Sequence, residues 1–311
     1  MGWESRKVFE KSQRIDRLFT TTMKRFIIKL FSVVLQFMNR IAVWLGLSRP
    51  KVIIYMDGGI CSQMSMYLKG QYYKEVADVL YDTTWFELNG KDLDGRFDRK
   101  LELTKLFPTL DFKTVRRKEK RFYKMFYSYP QSDGYLPEPD TINRITYFGG
   151  YFEMKQEDKN RLFSSCFSSD RMREPDVQLP DDGVEGAKIA VHVRRGDLAN
   201  RENQWYKKVP VSYFLNAIDY VKGRFENIQL FFFSDEPEWV EENLCPYITT
   251  SYYIIRGNKA YEDLYLISLC DVVVASQGSF GVWGARLNGH STLIKPSYES
   301  EGGFIQVAPL L

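Results

Sequence analysis

Arg194 and Arg195 stand side by side in the run Val191-His192-Val193-Arg194-Arg195-Gly196-Asp197. Two adjacent guanidiniums suit the gripping of a diphosphate, because each offers a planar, permanently charged fork that meets two phosphate oxygens at once. The plain alternative is a surface strand ending in solvated arginines. Two other stretches carry residues of chemical use. Ser234-Asp235-Glu236-Pro237 follows the apolar run Phe231–Phe233, and Ser276-Gln277-Gly278-Ser279-Phe280 follows Val272–Ala275. Hydroxyls and small residues ahead of a helix N-terminus make a natural anion site. Ser-Asp-Glu-Pro is equally the pattern of ordinary helix capping. Metal ligands are poorly supplied: His192 and His290 are the only histidines, and Asp92-Leu93-Asp94 sits in a Gly/Asp-rich stretch that does not obviously follow a strand.

The elements that must position these residues are legible from periodicity. Ile189, Val191 and Val193 alternate with Ala190, His192 and Arg194, the period-2 mark of a strand, which puts Arg195 and Gly196 at its carboxyl end. Beyond it the pattern predicts helix 211–225, strand 228–233, helix 237–243, strand 252–255, helix 260–269, strand 272–275, helix 280–288 and strand 291–295. Val/Ile-rich strands alternating with helices imply a parallel sheet covered on both faces. In such sheets ligands bind beyond the carboxyl ends of the strands, so the three polar strand ends would converge on one crevice. A linker rich in Pro, Asp and Gly over 175–186 separates this half from an earlier one. That half opens with strand 51–56, the turn Asp57-Gly58-Gly59 and a helix expected over 62–80. Residues 82–140 read as loops with short helices, and 153–167 as helical.

The chain has 311 residues and a net charge of +3, of which residues 1–50 carry ten Lys/Arg against three Asp/Glu, leaving −4 for the rest. That balance argues against a nucleic-acid groove in the body and for an anionic membrane surface near the N-terminus. Residues 26–47 form an apolar stretch in which Lys29, Ser32, Gln36, Asn39 and Arg40 recur every three or four positions. On a helix these make one polar stripe opposite a broad apolar face, the pattern of a helix lying in the membrane interface. The stretch is also long enough to span a bilayer, and a helix packed on its own protein or on a partner is the third reading. The four cysteines include no C-x-x-C pair and no N-x-[ST] acceptor occurs, which favours a reducing cytosol.

These stretches together carry a family resemblance. His192-Val193-Arg194-Arg195-Gly196-Asp197 matches the HxRRGD motif of the bacterial α-1,2-fucosyltransferases of glycosyltransferase family 11. FFFSDEPEWVEENL (231–244) resembles their second motif and YEDLYLISLCDVVVASQGSFGVWGARLNG (261–289) their third. MDGGICSQMSMYLKG (56–70) and TYFGGYFEM (146–154) are similar to their earlier segments. The resemblance runs over about residues 51–296.

It implies an α/β chain of GT-B type, with two Rossmann-like domains facing across a cleft and the amphipathic helical extension in front. The divisions would be 1–50, an acceptor-side domain at 51–175 and a domain binding a GDP-sugar at 176–311. The implied activity is inverting transfer of L-fucose from GDP-fucose to a galactoside hydroxyl in an α-1,2 linkage, in surface glycan synthesis. GDP-fucose would be a substrate, with no cofactor and no metal, and the other partner a galactose-containing glycan. Arg194 and Arg195 would stabilise the departing GDP, assisted by the helix start near Ser279. His192, Ser234, Asp235, Gln277, Ser279 and Phe280 would line the nucleotide. The general base is open among Asp197, Glu202 and Asp57. The implied location is the cytoplasmic face of the bacterial inner membrane, held peripherally through residues 24–48. Two alternatives stand beside this reading: transfer of another nucleotide-linked sugar, and a catalytically weak sugar-nucleotide-binding subunit of a glycan assembly complex. The chain departs from the family pattern at two places. Cys61-Ser62 replaces Gly-Asn, and Gln277-Gly278-Ser279-Phe280-Gly281-Val282-Trp283-Gly284 replaces Asn-Ser-Ser-Phe-Ser-Trp-Trp-Gly.

Overall fold

A computed structural model describes residues 3–88, 90–91, 95, 98–130, 134–181, 183, 185–196, 209–297 and 302–307, with side chains from Met23 onward. The chain divides into two compact units. The α/β character, the parallel sheets and the N-terminal helix expected from the sequence are all present.

The first unit comprises residues 1–56, 66–84 and 112–158. Its sheet has the order β2-β1-β3, all parallel, from β1 (Lys51–Tyr55), β2 (Asp78–Asp82) and β3 (Ile145–Phe148). Val52, Ile53 and Ile54 are fully buried, as an apolar strand covered on both faces should be. The sequence pattern predicts one helix over 62–80. Instead α2 (Ile60–Gln71) ends early and the chain turns, so that Val79, Leu80 and Tyr81 pair with Val52, Ile53 and Ile54. Pairing with a buried neighbour strand overrides the helical reading of this β-branched and aromatic run. Helix α1 (Trp3–Trp44) belongs to this unit, and so does a short helix at 117–126.

The second unit comprises residues 57–65, 85–111 and 159–311. Short helices α3 (Thr84–Leu88) and α4 (Leu103–Leu106) precede α5 (Arg117–Phe126) in the chain, and α6 (Gln156–Cys166) follows β3. The six-stranded sheet has the order β6-β5-β4-β7-β8-β9. It is built from β4 (Ala187–Val193), β5 (Ile228–Ser234), β6 (Tyr252–Ile255), β7 (Val272–Ala275), β8 (Thr292–Pro296) and β9 (Phe304–Val307). All pairs are parallel except β8 with β9, which is antiparallel and was not expected from the sequence. The crossovers are α7 (Val211–Lys222), α8 (Pro237–Asn243), α9 (Ala260–Ile267) and α10 (Phe280–Asn288). Alternate residues of β4 feed two cores. Ile189, Val191 and Val193 pack with Tyr213, Phe214 and Phe232 on one face, while Ala190 joins Phe231, Phe233 and Val273 on the other.

Candidate functional site

Register puts three polar strand ends on one edge. His192 pairs with Phe233 of β5 and Ala275 of β7, so Arg194, Ser234–Asp235 and Ser276–Gln277 leave the sheet together. Two hydroxyls fasten these ends. Ser234 Oγ donates to the Val193 carbonyl at 2.8 Å and accepts the Glu236 amide at 3.0 Å. Ser276 Oγ accepts the Arg194 amide at 2.7 Å. Ser234 thus ties strand to strand as well as shaping the turn into α8.

Both guanidiniums are braced. Arg194 Nη1 lies 2.7 Å from Asp235 Oδ2, while Asp235 Oδ1 accepts the Arg195 amide at 2.9 Å. Arg195 Nε donates to Glu236 Oε2 at 3.1 Å, and its fork lies over the Trp239 ring with Cζ 3.9 Å from the centroid. Carboxylate on the edge and aromatic on the face leave a planar cation few orientations. Burial raises the Asp235 carboxyl, and the neighbouring Arg194 charge and Arg195 amide pull it back. Gly196 has φ +23°, and a side chain there would run into the Asp235 carboxylate. Only glycine lets the chain turn this close to the brace.

Val193, Arg194, Arg195, Phe214, Trp239 and Gln277 line a small recess at this edge. Gln277 is buried, and its Oε1 has no hydrogen-bond partner among the described residues. His192 is buried and stacked on Phe280, with centroids 5.3 Å apart and planes at 30°. Burial first, and the Arg194 charge second, push its imidazole down to about 3, so it is neutral here. Ser279 is the residue before α10, exposed at its N-terminus.

The first Gly-rich loop belongs to the same unit. Cys61 shares a hydrogen bond with the Ser279 side chain, and burial drives its thiol up to about 12. Gln63 is fully buried; its amide group donates to the Gly58 and Lys100 carbonyls and accepts the Glu102 and Leu103 amides. The two places where the chain departs from the family pattern, at Cys61 and around Ser279, are therefore in contact. Asp57 is half-buried in this loop. Asp197 and Glu202 lie outside the described residues, as do Asp92 and Asp94. Among the described residues no cluster of three His, Cys, Asp or Glu side chains could hold a metal ion.

The structure thus gathers His192, Arg194, Arg195, Ser234, Asp235, Gln277, Ser279 and Phe280 at one sheet edge. It adds Glu236 and Trp239, to which sequence reasoning gave no role, and brings Cys61, noted there only as a departure from the family pattern, to Ser279. Trp239 carried a usable signal: two residues into a helix that begins at Pro237, it follows the strand end by a fixed short distance. Asp263, in the first turn of α9, was also missed. It accepts a hydrogen bond from Asn258 Nδ2 at 3.0 Å, and burial raises its carboxyl to about 7.

The pattern described as Glycosyl transferase family 11 matches residues 147–302. An alpha-1,2-colitosyltransferase of Escherichia coli is 30% identical over 106 residues, 33% of this chain and 37% of that protein. The galactoside alpha-(1,2)-fucosyltransferase 1 of Homo sapiens is 30% identical over 109 residues, 34% of this chain and 30% of that protein. The match thus spans about a third of the length of these relatives. Among solved structures, the fucosyltransferase NodZ from Bradyrhizobium superposes with a TM-score of 0.45 at 11% identity, covering 84% of this chain and 99% of that one. The family pattern covers half of the chain and takes in β4 through β8 with the braced arginines; the chain belongs to glycosyl transferase family 11.

Proposed function

We propose that this protein moves L-fucose from GDP-fucose to a galactoside hydroxyl with inversion, forming an α-1,2 linkage in glycan synthesis. The observation that carries this reading is the pair Arg194 and Arg195, held by Asp235, Glu236 and Trp239 at the carboxyl end of β4. The names of the relatives, an alpha-1,2-colitosyltransferase and galactoside alpha-(1,2)-fucosyltransferases, support the linkage and the acceptor class.

In the reaction the acceptor hydroxyl oxygen attacks the anomeric carbon. The bond from that carbon to the β-phosphate oxygen breaks, and its electron pair leaves with GDP. The charge that develops on the diphosphate meets the two guanidiniums, which are already oriented and need no reorganisation. The acceptor proton passes to a carboxylate, for which Asp57, Asp197 and Glu202 are the candidates. We assign residues 176–311 to the donor side and 51–175 to the acceptor side. His192, Ser234, Gln277, Ser279 and Phe280 are the donor-side contacts in this assignment. The extension at 24–48 is assigned to the cytoplasmic membrane surface.

The test is release of GDP from GDP-fucose with and without β-galactoside acceptors. Arg194→Ala and Arg195→Ala should each lower kcat by about a hundred- to a thousandfold, the effect of removing one preorganised charge donor. Unchanged rates refute the diphosphate assignment. GDP binding without turnover on any acceptor would instead indicate a binding subunit. A second donor is favoured by the altered 277–282 stretch together with the colitosyltransferase relative. GDP-colitose turning over faster than GDP-fucose would establish it.

A further inference from the structure

Ser32, Gln36 and Asn39 of the polar stripe of α1 face the protein, while its Lys29 and Arg40 and the apolar face are exposed. Ser32 Oγ donates to the Phe126 carbonyl at 2.6 Å, and Gln36 Nε2 donates to the same carbonyl at 2.8 Å. Asn39 Oδ1 accepts the Ile145 amide at 2.6 Å. Leu35, between them, packs on the core of Ile53, Tyr123 and Tyr147. Phe31, Val34, Phe37, Met38, Ile41 and Trp44 are left exposed. The spacing that reads as an interfacial helix with polar groups toward water is therefore used to dock the helix on its own domain. A helix docked on its own domain along the flank from Ser32 to Asn39, with apolar side chains exposed on the other side, has the arrangement of a helix lying along a bilayer.

The neighbour on which α1 docks is strongly basic. The stretch 116–126 carries Arg116, Arg117, Lys118, Lys120, Arg121 and Lys124 against Glu119 alone. Tyr123 is its buried anchor, while Lys118, Arg121, Phe122 and Met125 are all exposed. Their spacing of three and four puts these four on one face of α5, cations beside apolar side chains. The Phe126 carbonyl that takes Ser32 and Gln36 is the last residue of this helix.

We propose that α5 is a second lipid-binding element, docked to α1 so that the two form one surface for an anionic bilayer. The apolar face of α1 enters the acyl boundary and the cations of α5 meet lipid phosphates, with Phe122 and Met125 at headgroup depth. Charge complementarity selects the occupant: an unpartnered apolar face next to six cations fits an anionic membrane better than a second copy, which would bring like charges together. The inference rests on the membrane placement of residues 24–48 proposed above and is independent of the sugar transferred.

Sedimentation of the full chain with neutral phosphatidylcholine vesicles and with vesicles containing phosphatidylglycerol tests it. The triple variant Arg117→Gln, Lys118→Gln, Arg121→Gln should bind the anionic vesicles about a hundredfold more weakly, each cation contributing about fivefold. Its binding should also lose most of its salt dependence, while GDP binding and Tm stay unchanged. Arg121→Gln alone, at about fivefold, serves if the triple variant is unstable. Phe31→Ser with Phe37→Ser should weaken binding to both vesicle types. If the α5 variants bind like the parent while the α1 variant does not, the role of α5 is overturned and the membrane placement stands. If the parent binds neither vesicle, or dimerises through α1 and ignores lipid, both fall.

Discussion

Arg194 Nη1 stands 2.7 Å from Asp235 Oδ2, and the other oxygen of that carboxylate accepts the Arg195 amide. One side chain therefore sets both the direction of the first guanidinium and the backbone of the second. Removing it takes this ion pair from a half-buried cation and frees the turn at Gly196. Asp235→Ala is expected to reduce kcat/KM by about thirtyfold or more, the effect of about 2 kcal/mol or more lost when one partner of a close, largely buried charge pair is truncated. Circular dichroism should stay that of the parent. A rate within twofold of the parent refutes the bracing role.

Arg195 depends on shape as well as charge. Its fork stacks on Trp239 and bonds Glu236 sideways, which a lysine ammonium cannot reproduce. Arg195→Lys should therefore lose most of the activity lost in Arg195→Ala. Trp239→Leu should weaken GDP binding by about two- to fivefold, from a partly exposed cation–π contact of about 0.5–1 kcal/mol. GDP release from GDP-fucose measures the first, and equilibrium dialysis with GDP measures binding by both variants. Full binding by Arg195→Lys would show that charge alone suffices.

Two buried groups give opposing pH dependences of stability. His192 falls to about 3 from an ordinary 6.5, so its contribution is complete above pH 6.5 and declines as pH drops toward 3. Asp263 rises to about 7 from 3.8, so its contribution is complete below pH 4 and declines as pH climbs toward 7. Each slope approaches about 1.4 kcal/mol per pH unit, with opposite sign, between pH 4 and 6.5. Asp263→Asn keeps an acceptor for Asn258 and removes the acidic slope. Its Tm should climb with pH from 4 to 6.5, whereas the parent's profile is flatter. Parallel profiles would contradict the assignment.

Gly281 marks where the chain cannot simply regain the family pattern. A Cβ there would lie 2.8 Å from Ala275 Cβ and 3.2 Å from His192 Cβ. Gly281→Ser should lower stability by about 1–3 kcal/mol, the range for overpacking. It should also disturb the stacking of His192 on Phe280. Thermal denaturation checks the first effect and GDP affinity the second. An unshifted Tm would mean that β7 and α10 separate more easily than their packing indicates.

The sequence by itself determined most of the six-stranded sheet of the second unit. Period-2 runs of Val, Ile and Phe separated by helical stretches located β4 through β8, because strands buried on both faces leave a strong apolar signature. The motif residues His192, Arg194, Arg195, Ser234, Asp235, Gln277, Ser279 and Phe280 were likewise legible, since strand ends are fixed by the strands themselves. Only the tertiary structure decided what each side chain touches. Asp235 turned out to grip Arg194, Ser234 to tie β5 to β4, and Cys61 to meet Ser279 across more than two hundred residues of chain. The strand at 78–82 was hidden because its pairing partner lies elsewhere in the sequence. The clearest case is α1. Its periodicity gave two faces correctly, but hydropathy cannot say which face meets the protein. That was decided by the unpaired carbonyl at the end of α5 and the amide at the start of β3, which take up Ser32, Gln36 and Asn39 and leave the apolar face outside.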